Sequence, residues 1–311
     1  MLFNLIFKRE AIFTIALSGV WLLCSMFWAL HTNLLSSGIF MSVSLELIAF
    51  YLLMGLVSFY FNQVLRSTKL VGNNDFSALF LSVMAMSGLE YSSVSFQFVL
   101  AFFLLLMLIN KIQQGFNQTE NIISEFEMGV ISGLLTMINP LFIVALPFTY
   151  VALVNVKVNT WRGCIAVLLG FFFMLFAKWC YFIFTDQADS FMELIKFNFV
   201  PKGLLVKGIL AQVSSGLLLL VFVLSANHFV KVSGQLNIKI RVYYKVWLWL
   251  SLFLLSGFLL IENSMTVPQI LLCINLPLLV LYQLAIRAFS KKIAKELAIL
   301  ILMLVVLLLK F

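Results

Sequence analysis

Apolar residues come in blocks along this chain, and polar residues gather in the short gaps between them. The apolar runs lie at roughly 11–30, 39–61, 76–89, 94–110, 128–156, 163–184, 203–226, 246–261, 269–286 and 297–309. Many approach the ~20 residues that a helix needs to cross a hydrocarbon core of about 30 Å. Such runs predict helices that are apolar all round, as in a membrane bundle, rather than the single apolar stripe of a surface helix.

The run at 128–156 does not fit one helix. As a straight α-helix its 29 residues would reach about 44 Å, well beyond the core. Asn139-Pro140 near its middle is a break signal, because proline offers no backbone N–H and disfavours helix at the residue before it. Pro147 would kink the second half.

The basic residues choose between one crossing and two. Lys8 and Arg9 set the N-terminus on the cytoplasmic side. If 128–156 goes over and back, the inner segments hold Lys8, Arg9, Arg66, Lys69, Lys111, Lys157, Arg162, Lys231, Lys239, Arg241, Lys245, Arg287, Lys291, Lys292 and Lys295, which is 15 of the 20 Lys and Arg. A single crossing would put the basic loops 227–245 and 287–296 outside, against the positive-inside rule. The expectation is an all-α polytopic transmembrane bundle of about 10–11 spans, one domain over 1–311, with a helix-break hairpin around 128–156 and a basic cytoplasmic loop at 227–245. Charge does not separate two short spans from a re-entrant hairpin, since both return to the same side. Lys8 and Arg9 precede a run long enough to span, so the first helix is expected to be uncleaved.

Composition agrees. The chain is 63% apolar and 10% charged, with a mean hydropathy of +1.12, against roughly 45–50% and about 25% for soluble domains. The formal charge of +8 is scattered over short loops, so no nucleic-acid partner is expected and the lipid bilayer is. The four cysteines, Cys24, Cys164, Cys180 and Cys273, fall within apolar runs and read as small buried hydrophobes. No cofactor or metal site is expected: His31 and His228 would face opposite sides.

Ionisable residues within spans are costly and therefore candidates for function. Glu46 and Lys178 lie at similar depth from the outer face and form a candidate pair. The alternative is that Lys178 snorkels outward and Glu46 faces a polar seam. His31, Glu90, Asp186, Asp189, Glu193 and Glu262 sit near the outer face, lining an acidic cavity or simply solvated in loops. Gly129 and Gly133, with Ser132, give a small-residue face for close helix packing. Asn139 and Pro140 mark the break. "QLNIKIRVY" (235–243) alternates polar and apolar residues and is the chain's one strand-like pattern.

The stretches "LRSTKLVGNNDFSALFL", "EFEMGVISGLLTMINPLFIVALPF", "NTWRGCIAVLLGFFF" and "IKIRVYYKVWLWL" together resemble an uncharacterised family of roughly 300-residue bacterial polytopic inner-membrane proteins. The matching positions are Asn74, Gly129, Gly133, Leu134, Pro140, Arg162 and Gly170. The family pattern has a proline pair where this chain has Pro140 alone. The resemblance implies fold and location in the bacterial inner membrane, and no particular activity.

Three readings of function follow. The first is a partner or assembly subunit of an envelope process, consistent with few intramembrane charges and short loops. The second is an enzyme or carrier for a lipid-linked sugar or other lipid, with an outward-facing site. The first outer loop lacks an acid and the outer face lacks arginines, which weakens it. The third is a small-solute transporter, which would need matching broken helices in two halves. One clear break exists, at Asn139-Pro140, with a faint echo at Asn275-Leu276-Pro277.

Overall fold

The computed structural model describes residues 11–37, 42–71, 75–87, 93–116, 121–156, 160–185 and 209–260, together with 276–277, 279–284, 286, 296 and 299–301. In chain order the helices are α1 (Ala11–Ser37), α2 (Ser42–Ser67), α3 (Ser77–Met86), α4 (Ser93–Gly115), α5 (Ile122–Ile138), a 3-10 helix (Pro140–Val144), α6 (Ala145–Val156), α7 (Trp161–Phe184), α8 (Ile209–Val232), a short 3-10 turn (Ser233–Gln235) and α9 (Ile238–Leu260). The described residues contain no strand. Among the described residues, three stretches are long and apolar enough to cross a membrane: Glu46–Ser67 in α2, Ser95–Gly115 in α4 and Trp161–Phe184, which is α7.

The strand-like pattern at 235–243 is helical instead from Ile238 onward. Asn237 Oδ1 accepts from Lys239 N at 3.4 Å, and the residues that follow are the first turns of a long apolar helix. Alternation over a few residues is a weak signal, and tertiary context overrides it.

The chain divides into two units. The first contains Met1–Leu100, Leu205–Arg241 and Met265–Phe311, and the second Ala101–Leu204 and Val242–Ser264.

In the first unit α3 is buried along its whole length. A helix apolar all round needs such cover. At ten residues it is about 15 Å long, half a hydrocarbon core. It runs antiparallel to α2: the Arg66 guanidinium lies 4.8 Å from the centroid of the Phe76 ring, and Ser58 Oγ donates to Met86 Sδ at 3.6 Å. Trp21 Nε1 of α1 donates to Ser87 Oγ at 2.9 Å, and Gln283 Nε2 donates to Ser77 Oγ. The α2 helix ends on Lys69, whose φ of 58° is left-handed. Leu65 O there accepts from both Leu70 N and Val71 N, at 3.0 and 3.3 Å.

The second unit is built on α5, α6 and α7. Each of α5 and α7 begins at a side-chain cap: Asn121 Oδ1 accepts from Ser124 N at 3.3 Å, and Thr160 Oγ1 from Gly163 N at 3.2 Å. The short α6 is tied to both neighbours. Thr149 and Ser132 hydroxyls meet at 3.2 Å, and Tyr150 OH donates to Cys164 O at 2.8 Å. Phe148 packs edge-on against Phe253 of α9, with ring centroids 6.1 Å apart. Tyr243 OH donates to Gln113 O at 3.2 Å.

Inward, α7 turns only a strip comprising Gly163, Ala166, Val167, Gly170 and Phe171. Its other faces carry exposed Trp161, Ile165, Leu169, Phe172, Phe173, Phe176, Trp179 and Tyr181. Trp161 and Trp179, 18 positions apart, are separated by about 27 Å along a helix, close to the thickness of a hydrocarbon core.

Candidate functional site

The glycines of α5 and α7 bring two backbones together. A Cβ added at Gly129 would land on Val167 O and come within 3.0 Å of Phe171 N. At Gly133 it would lie 2.8 Å from Met174 Cβ and 3.0 Å from Phe171 O. At Gly170 it would land on Phe126 O and reach 2.9 Å from Val130 N. Gly129 and Gly133 therefore lie against α7.

The contacts advance together along both helices: Glu125 meets Gly163, Gly129 meets Val167, and Gly133 meets Phe171. Met137 then meets Lys178. The two helices are parallel. The chain between them has to travel back, and it does so through the 3-10 helix and α6. The reversal falls at Asn139-Pro140.

The break leaves carbonyls to satisfy. In a continuing helix Thr136 O would accept from residue 140, but Pro140 has no N–H. Met137 O would accept from Leu141 N, but that N–H goes to Asn139 Oδ1 at 3.0 Å. Lys178 Nζ takes the vacant role and donates to Met137 O at 2.9 Å. It also lies 5.9 Å from the Phe182 ring centroid. A cation on the last carbonyls of a helix satisfies an orphan acceptor and the negative end of the helix dipole together.

Glu125 occupies the opposite end of the pair. It is 1% exposed and lies in the first turn of α5. A Cβ on Gly163 would come 2.5 Å from its carboxyl carbon, so the glycine makes room for the acid at the start of α7. Both N-termini are dipole-positive and favour an anion. The charges of this pair are thus sorted by helix direction, carboxylate at the N-terminal ends and ammonium at a C-terminal end. Nearby, Lys111 Nζ of α4 and Glu127 Oε2 form an ion pair at 2.5 Å. With side chains 37% and 45% exposed, it contributes about 1 kcal/mol or less.

Of the other sequence candidates, Glu46 is an exposed residue of α2 and belongs to the first unit, while Lys178 belongs to the second. The ammonium of Lys178 is engaged within its own unit. His31 falls within α1, and its side chain lies outside what is described. Glu90, Asp186, Asp189, Glu193 and Glu262 lie outside the described residues. No group of three or more His, Cys, Asp or Glu side chains suited to a metal occurs among the described residues.

Sequence reasoning missed Glu125. The signal was present: Glu125, Gly129 and Gly133 recur every four residues and share one helix face. No family model, curated protein or solved structure matches this chain.

Proposed function

We propose that this chain is a polytopic protein of the bacterial inner membrane, with about 10–11 spans and a cytoplasmic N-terminus, serving as a partner or assembly subunit of an envelope process. The observation that carries the reading is the use made of Lys178. The one cation within a span that sequence marks for chemistry caps α5 at Met137 O, and a buried acid, Glu125, sits where two helix N-termini meet. These charges hold helices in register rather than face a substrate.

The membrane assignment draws its support from α7. Its exposed apolar face, bracketed by Trp161 and Trp179, has the length and the aromatic ends of a lipid-facing helix. The parallel course of α5 and α7 agrees with the charge-based expectation that 128–156 goes over and back. The 3-10 stretch helps the return: five residues at about 2.0 Å and twelve at about 1.5 Å give about 28 Å, using the lengths of Pro140–Val144 and Ala145–Val156.

The test is native mass spectrometry of the protein gently extracted from its own membrane. A co-purifying protein at fixed stoichiometry is expected. A chain that emerges alone with a retained lipid-linked sugar, lost in Glu46→Gln or Lys178→Met at unchanged abundance, would replace this reading with an enzyme or carrier.

A further inference from the structure

The outer side of the α7 N-terminus carries different chemistry from the side that meets Glu125. Trp161 and Arg162 are both exposed, and the guanidinium carbon lies 5.5 Å from the Trp161 ring centroid. Among the described residues no carboxylate lies within ion-pair distance of Arg162. Exposed Ile165, Leu169, Phe172 and Phe176 continue from this pair along α7 at helical spacing.

This is a cation stacked on an indole at the foot of an apolar stripe. Its two halves match the two halves of one class of molecule. A phosphodiester suits the fork of a guanidinium, which a lysine does not reproduce. Acyl chains suit the stripe, and an indole prefers the level of the headgroups. Basic sites at the cytoplasmic ends of membrane helices attract anionic lipid for the same reason. Glu125 fills the inner side of the α7 N-terminus, so a headgroup there rests on Arg162 and the indole edge.

We propose that Trp161 and Arg162 bind the headgroup of an anionic phospholipid whose chains lie along Ile165, Leu169, Phe172 and Phe176. This rests on the membrane reading of α7.

The test uses the full chain in vesicles of phosphatidylcholine and of equal parts phosphatidylcholine and phosphatidylglycerol, with thermal midpoint and retained lipid as readouts. Phosphatidylglycerol is expected to raise the midpoint and to be retained in preference. Arg162→Gln is expected to lower that preference about tenfold, the equivalent of one charge-assisted contact. Arg162→Lys should restore it in part, and Lys245→Gln, which removes an exposed cation of α9, should leave it intact. Equal retention in Arg162→Gln and the unaltered protein would overturn the proposal, as would an equal loss in Lys245→Gln. Exclusion from both kinds of vesicle would refute the membrane reading itself.

Discussion

Lys178 Nζ on α7 donates to the main-chain carbonyl of Met137, 2.9 Å away at the end of α5. The contact joins two helices at the point where one of them stops. It makes Lys178, a cation within an apolar run, a helix cap supplied by a neighbour.

Removing that cap has a defined effect. Lys178→Met keeps an unbranched apolar stem but leaves Met137 O without its donor. Hydrogen bonds to charged groups contribute about 1.5–3 kcal/mol, so the thermal midpoint in detergent should fall measurably. Lys178→Arg should recover part of the loss. An unchanged midpoint in Lys178→Met would show that the contact does not hold the break.

The glycine contacts predict a ranking. Gly129→Ala would drive a methyl into the Val167 carbonyl, which is backbone and cannot turn aside. The expected cost is about 3 kcal/mol, the upper end for overpacking. At Gly133 the nearest obstacles, Met174 Cβ at 2.8 Å and Phe171 O at 3.0 Å, are overlapped less deeply than the Val167 carbonyl is at Gly129, so alanine there should cost less, about 1–2 kcal/mol. Gly55 faces only Leu22 Cδ1 at 3.9 Å, and Gly55→Ala should be neutral or gain up to about 1 kcal/mol. Denaturation midpoints of the three variants check the order.

Glu125 and Gly163 should couple. Gly163→Ala pushes a methyl onto the Glu125 carboxyl group and is expected to destabilise strongly. Glu125→Ala removes the obstacle. The double variant should be more stable than the sum of the single losses allows, by about 1 kcal/mol or more. Strict additivity would mean that the two residues do not share the space.

Lys69 pays for its left-handed backbone. Its φ is 58°, where a non-glycine residue carries a penalty of about 1–2 kcal/mol. Lys69→Gly is expected to stabilise the end of α2 by up to about 1 kcal/mol, the gain being reduced by glycine's greater freedom when unfolded. A lower thermal midpoint would contradict the role of the backbone at this turn.

Much of this arrangement is legible in the chain. The apolar runs at 39–61 and 163–184 correspond to α2 and α7, and Asn139-Pro140 marks the reversal because proline's missing N–H acts locally. Gly129 and Gly133 announce a close contact by spacing alone. What they contact is not local: Val167 and Phe171 lie nearly 40 residues downstream, and no periodicity names them. Glu125 lies just ahead of the apolar run at 128–156, and its burial depends on the start of another helix, at Gly163. The alternation at 235–243 misled for the opposite reason, being local while the helix beyond it is not.

The helices α5 and α7 run parallel, with the chain returning between them, and on the proposed membrane reading both cross in the same direction. Accessibility of single cysteines in intact inverted and right-side-out vesicles tests it most directly, after Cys24, Cys164, Cys180 and Cys273 are replaced. Ile123→Cys at the start of α5 and Thr160→Cys before α7 should react with a membrane-impermeant maleimide from the same side, and Thr185→Cys beyond α7 from the other. Reaction of Ile123→Cys and Thr160→Cys from opposite sides would contradict it.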